Sequence, residues 1–279
     1  MESLFNSLTQ SCSKKVTNTY STSFALATGL LAPQIRQDIH NIYGFVRFAD
    51  EIVDTFHDWD KEMLLDKFEA DFYHAHEMGI SLNPILNSFQ LTIHKYNIDL
   101  ELVAAFLKSM RMDLRKTEYH TKEEYDSYIY GSADVVGLMC LKVFVNGDQT
   151  KYDELKESAM KLGSAFQKVN FLRDIKDDIE VLNRSYFPNI DFNNLDLESK
   201  MLIIDEIEHD FKEAYNGIVN LPATSKLGVY TAFVYYKQLL MKLKSTPSIQ
   251  IMERRIRVSN PHKFGLMVRS YFDVKLNLV

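Results

Sequence analysis

The sequence predicts an all-α fold in a single domain, and three observations carry that expectation: turn residues are scarce, apolar residues recur at helical spacing, and no linker or repeat divides the chain. Only 10 Gly and 6 Pro are spread over 279 residues, too few for the many short strands of a sandwich or barrel. With 46% hydrophobic and 25% charged residues, the chain has enough apolar material for a sizeable core and none of the bias that marks disorder. No Pro/Gly/Ser-rich stretch, low-complexity tract or internal repeat interrupts residues 1–279, so one domain is the simpler reading.

Taken in order, Pro33 suits a first helical turn. It opens an apolar stripe of Ile35, Ile39, Ile42, Val46, Ala49 and Val53 at spacings of four and three. A break follows at Asn83-Pro84. Leu102, Ala105, Phe106 and Met110 then repeat the pattern. The apolar run at 135–145 is interrupted by Lys142 and falls short of the roughly 18 residues of a membrane span. Within this region Gly131 and Gly137 each cost about 1 kcal/mol relative to alanine in a helix, so a kink, a close substrate approach or tight helix packing is expected. After Asn146-Gly147-Asp148 come Leu155, Ala159, Leu162 and Phe166. A further break at residues 186–194 precedes Leu227, Thr231, Val234 and Leu239, and Thr246-Pro247 closes that segment. Eight or more helices packed around a central space are expected.

The remaining composition excludes several classes. Cys12 and Cys140 lie far apart with no Cys or His at metal-ligand spacing, which argues against a disulfide framework or zinc site and for a reducing, cytoplasmic setting. Residues 1–10 lack the basic and apolar regions of a secretory signal. A formal net charge of −6 gives no reason to expect nucleic acid as a partner, although Arg254, Arg255, Arg257, Lys263 and Arg269 form a local basic cluster.

Two acidic pairs carry the chemical signal. Tyr43, Arg47, Asp50 and Asp54 follow one another at spacings of four, three and four, so they share one narrow helix face. Asp174 and Asp178 repeat the spacing with Gly163, Gln167, Asn170 and Phe171 on nearly the same face, opposite Val169, Leu172, Ile175 and Ile179. Carboxylates one turn apart repel unless a cation lies between them, and oxygen-only ligands completed by substrate phosphates suit magnesium. Taken singly, each pair also reads as a solvated acidic face. Arg47 and Arg173 then read as surface ion-pair residues, Gln167 and Asn170 as surface amides, and Tyr43, Tyr186 and Tyr236 as packing residues.

Their setting is more specific. Val46-Arg47-Phe48-Ala49-Asp50-Glu51-Ile52-Val53-Asp54 and Gln167-Lys168-Val169-Asn170-Phe171-Leu172-Arg173-Asp174-Ile175-Lys176-Asp177-Asp178 resemble the two aspartate-rich motifs of the squalene/phytoene synthase family. Further matches are Tyr20-Ser21-Thr22-Ser23-Phe24, Tyr130-Gly131, Val136-Gly137-Leu138-Met139 and Asn183-Arg184-Ser185-Tyr186-Phe187-Pro188. Tyr236, Arg255-Ile256-Arg257-Val258 and Lys263 close the resemblance, which covers about 15–269.

The resemblance implies a single-domain isoprenoid-synthase helical bundle with a central active-site cavity. It implies that Asp50, Asp54, Asp174 and Asp178 hold Mg²⁺, with Mn²⁺ as a substitute, facing each other across the cavity mouth. Ser21, Ser23, Arg47, Arg173, Arg255 and Lys263 would contact diphosphate oxygens, with Phe24, Gln167, Asn170, Tyr43, Tyr186 and Tyr236 around the substrate. The implied reaction joins two prenyl diphosphates head to head through a cyclopropyl diphosphate. Without a C-terminal membrane anchor the chain looks like a bacterial carotenoid enzyme, so two geranylgeranyl diphosphates giving phytoene is the expectation. The alternatives are squalene or dehydrosqualene from farnesyl diphosphate, NADPH being needed only for squalene, and a non-catalytic relative acting in assembly. A cytoplasmic protein that touches the inner face of the membrane to release an apolar product is expected. The sequence carries no signal for oligomeric state.

Overall fold

Turn chemistry sets the helix boundaries. In the structure, a computed structural model describing residues 2–181, 184–188, 190 and 195–279, helices α1 (Glu2–Tyr20), α2 (Thr22–Gly29), α3 (Pro33–Asp54), α4 (Lys61–Met78) and α5 (Pro84–Tyr96) come first. Asn83 caps α5, its Oδ1 accepting from the Ile85 amide at 3.0 Å, and Pro84 occupies the first turn, where its missing N–H costs nothing. Helices α6 (Leu100–Arg115), α7 (Lys122–Ile129), α8 (Val135–Phe144) and α9 (Gln149–Glu180) follow. Asn146 and Gly147 take left-handed φ values of 55° and 75°, and Asp148 then caps α9 by accepting from the Lys151 amide at 3.1 Å. The chain continues through α10 (Leu197–Ile218), α11 (Ala223–Ser245), α12 (Ser248–Glu253) and α13 (Asn260–Lys275), with Thr246-Pro247 dividing α11 from α12. Among the described residues there is no strand, only an isolated parallel bridge between Glu118 and Ser185. Asn183 and Asn194, which the sequence placed in a motif and at a loop end, lie outside the described residues.

The core is continuous. On α3, Phe45 stacks on Phe89 at 4.0 Å and meets Phe68 and Phe72, all four buried. Buried polar ties hold α3 to α5: Asn41 donates to Thr92 at 3.0 Å, and Asp38 accepts from Tyr96 at 2.8 Å and Lys95 at 2.7 Å. On the far side, Lys168 of α9 reaches Asp210 and Glu206 of α10 at 2.7 and 2.5 Å, so its buried charge is paired.

The glycines expected to kink or crowd do both. Residues Tyr130–Asp134 form one π-helical turn between α7 and α8. A Cβ on Gly137 would lie 2.8 Å from the Ala159 carbonyl oxygen, and one on Gly163 2.7 Å from that of Ala133. The two glycines are reciprocal, letting α8 and the π turn press directly against α9. Among the described residues no helix is long and apolar enough to cross a membrane.

Candidate active site

The central space expected from the sequence is a cavity of about 310 Å³ bordered by α2, α3, α8, α9, α10 and α11. Ile39, Ile42 and Val46 from the stripe of α3 face it, as do Leu155, Ala159, Leu162 and Phe166 of α9. Part of the periodic apolar pattern is therefore cavity wall and not filled core. Polar atoms are few and lie on Ser23, Thr28, Tyr43, Gln167, Tyr235 and Tyr236 among others. On both α3 and α9 the lining residues give way, within one or two turns, to an acidic pair.

The α3 wall is ordered from the cavity outward. Tyr43 stacks on Phe24 at 4.7 Å, and burial, opposed by Arg47 and a hydrogen bond with Ser21, pushes its hydroxyl up to about 12. Ser21 also caps α2, accepting from the Phe24 amide at 3.3 Å. One turn further, Arg47 pairs with Asp50 and Glu51 while its guanidinium sits 4.5 Å from the Tyr20 ring centroid. Asp50 and Asp54 end the helix.

The α9 wall mirrors it. Gln167 lines the cavity, Phe166 stacks on Tyr236 at 4.0 Å, and the Tyr236 hydroxyl donates to Asn170 Oδ1 at 3.3 Å. Asp174 is held by Arg173 and by Arg255, whose Nε lies 2.8 Å from Asp174 Oδ1. Lys263 places its ammonium 5.3 Å from the Tyr235 ring centroid, and among the described residues it has no carboxylate partner. Asp178 alone of the four motif aspartates has no ion pair among the described residues, and Asp54 pairs with Arg184 at 2.7 Å.

Both acidic pairs sit at helix C-termini, where the macrodipole is already negative and no basic side chain occupies the last turn of α3. The cost shows in the carboxyls. Desolvation, then Asp174, then Asp54 push Asp178 up to about 8. Desolvation in the concave mouth and then Asp54 raise Asp50 well above the usual carboxylate range, although 35% of its side chain still reaches solvent. Arg184 ties the ends of the two motifs together, its guanidinium pairing with Asp54 at 2.7 Å and its backbone amide donating to the Asp178 carbonyl at 2.8 Å. Among the described residues no three carboxylate, His or Cys side chains come together as a closed metal cage. Two oxygen-only pairs, in which Asp178 has no ion pair among the described residues and the carboxyls of Asp50 and Asp178 are raised, instead fit divalent ions whose remaining ligands are substrate phosphates.

Residues 17–262 match the squalene/phytoene synthase family. The chain belongs to that family. It is 29% identical to the 15-cis-phytoene synthase of Synechocystis sp., over 90% of this chain and 80% of that protein. It is 27% identical to the phytoene synthase of Arthrospira platensis, over 83% and 82%. A dehydrosqualene synthase crystal structure superposes with a TM-score of 0.80, covering 97% of this chain and 98% of that one at 18% identity. The squalene synthase of Alicyclobacillus acidocaldarius gives 0.74 over 89% and 95% at 20% identity. The likeness to these structures establishes the shared all-α fold. The chain is a prenyltransferase of the head-to-head type, and its family is generally metal-dependent.

The synthase also holds site neighbours that periodicity did not single out. Arg184 donates to Asp54 and, through a second nitrogen, to the Asp113 backbone carbonyl oxygen at 3.2 Å. Asp113 of α6 accepts from the Tyr128 hydroxyl at 2.8 Å, its Oδ1 has no hydrogen-bond partner among the described residues, and burial pushes its carboxyl up to about 7 against Arg184. These contacts span 130, 71 and 15 residues in sequence, so no local spacing marks them. Tyr186, expected beside the substrate, borders a smaller crevice with Asp178 and Arg184 and not the central cavity. It is buried in a stack with Phe171 at 3.9 Å and Tyr128 at 5.3 Å, behind Arg184. Arg255 stands at the exposed rim.

Proposed function

We propose that this synthase joins two geranylgeranyl diphosphates to give phytoene, with Mg²⁺ held by Asp50, Asp54, Asp174 and Asp178. One observation carries the reading: an apolar cavity whose rim bears two acidic pairs, each interlaced with arginines. A prenyl chain suits the cavity, and a diphosphate suits the rim once divalent ions offset the carboxylates. The relatives named as phytoene synthases support choosing phytoene as the product.

Bound Mg²⁺ would supply charge neutralisation for the departing diphosphate. The protein's own residues do the rest. Arg47, Arg173, Arg255 and Lys263 would hold diphosphate oxygens, together with Ser21 and Ser23 near the start of α2. Loss of the first diphosphate leaves an allylic cation, which the second molecule's double bond attacks; a proton leaves and a cyclopropane closes. Loss of the second diphosphate, rearrangement and loss of a second proton give the central triene. The faces of Phe24, Tyr43, Phe166 and Tyr236 offer π density to these cations, and the apolar walls keep water from capturing them.

The test is product mass from competing farnesyl and geranylgeranyl diphosphates, with and without Mg²⁺ and NADPH. Phytoene formed with Mg²⁺ and without NADPH is expected. A thirty-carbon product would replace the substrate assignment, NADPH dependence would mark squalene formation, and no released diphosphate in any mixture would defeat the proposal.

A further inference from the structure

The turn after Asp54 returns a lysine to the end of α3. Lys61 is the first residue of α4, directly behind the Asp60 cap, where the helix dipole presents its positive end and a cation is misplaced. Its half-buried side chain bends away from that end. The ammonium donates to the Val53 carbonyl oxygen at 2.8 Å and lies 3.0 Å from His57 Nδ1. The acids next to it in sequence on α4, Glu62 and Asp66, pair with Arg115 and Arg111 instead. A residue that breaks a local rule beside a functional site calls for a functional reason.

The charge at this spot supplies one. Val53 precedes Asp54, so the ammonium adds a fixed positive charge to a helix end that carries Asp50, Glu51 and Asp54. Arg47 is committed to Asp50 and Glu51, and Arg184 to Asp54. Lys61 is held by a carbonyl and an imidazole and has no carboxylate partner among the described residues, so its charge is not neutralised by a contact. Desolvation and then Arg184 pull its pKa below the usual lysine range, and Asp54 opposes them.

We propose that Lys61 is a positioning residue that clasps the end of α3 and keeps the affinity of the first acidic pair for divalent ions low until a diphosphate arrives. A fixed cation beside Asp54 repels a dication that enters alone, whereas a diphosphate brings enough negative charge to outweigh it. Ion and diphosphate therefore load together and leave together. The proposal rests on the reading of Asp50 and Asp54 as metal ligands.

Mn²⁺ binding to the full chain, counted from the electron paramagnetic resonance signal of the free ion with and without inorganic pyrophosphate, tests it. Lys61→Gln keeps an N–H donor for Val53 and removes the charge; Lys61→Arg keeps both. Without pyrophosphate, Lys61→Gln should bind Mn²⁺ about fivefold more tightly than wild type and Lys61→Arg about as tightly, with unchanged circular dichroism. The gain should shrink as salt is added and when pyrophosphate is present. Equal affinity in Lys61→Gln and wild type overturns the proposal alone, because the contact would then be only a clasp. Weaker binding in Lys61→Gln with pyrophosphate also overturns it, making Lys61 a diphosphate ligand. No bound Mn²⁺ in any of the three proteins, with or without pyrophosphate, defeats the metal reading of the acidic pairs and this proposal with it.

Discussion

The two faces of α3 serve opposite ends. On one face Phe45 is wholly enclosed, stacked at 4.0 Å on Phe89 beside Phe68 and Phe72, with Ala49 and Val53 continuing the row. On the other, Tyr43 and Val46 border an open cavity, and Arg47, Asp50 and Asp54 crowd charge at its rim. A single 3.6-residue periodicity therefore separates a stabilising surface from one that leaves space empty and carboxylates ill at ease. The packed face holds α3 rigid enough for the strained face to be useful.

Substitutions should separate the two. The largest effect is expected from Asp50→Ala or Asp174→Ala, each lowering turnover by about a thousandfold or more while circular dichroism and the melting temperature stay close to wild type. A steady-state assay beside a thermal melt checks this; a loss of helix would mean that the acidic face is structural. Next, Phe45→Ala should cost about 3–5 kcal/mol in denaturant unfolding, because its ring fills a site that cannot collapse. Activity per folded molecule should change far less, and a selective loss of turnover would blur the division. Gly137→Ala should cost about 1–3 kcal/mol by the same measurement, since its Cβ would press on the Ala159 carbonyl, whereas a neutral result would show that α8 can shift.

How much of this was legible follows from the range of the contacts. The stripe of α3, the breaks at Asn83-Pro84 and Asn146-Gly147-Asp148, and the one-turn spacing of each acidic pair are local features, and all stand in the structure. Which apolar residues fill core and which line the cavity was not legible: Ile35 and Val46 belong to one stripe, yet only Val46 faces the open space. Tyr186 is marked by its motif, but its stack on Phe171 and its place beside Asp178 and Arg184 are visible only in the folded chain. Arg184 on Asp54 and Asp113 beneath it join segments that only the folded chain brings together.

The smallest expected effect probes that hidden layer. Burial pushes the Asp113 carboxyl up to about 7, so the folded chain keeps a proton that the unfolded chain has released above the usual carboxylate range. The folded state thus binds more protons in that window, and stability falls as pH rises from about 4 to about 7. Asp113→Asn should flatten this slope and gain about 1–2 kcal/mol over wild type near pH 8. Urea unfolding at several pH values reads it, and an unchanged slope would place the proton elsewhere.

Calorimetric titration with an unreactive prenyl thiodiphosphate, with and without Mg²⁺, tests most directly whether the two acidic walls form one site. Tight binding that needs Mg²⁺ and is lost both in Asp50→Ala on α3 and in Asp174→Ala on α9 is the expected result. Mg²⁺-dependent binding that survives either substitution intact would contradict the account, because one wall would then suffice.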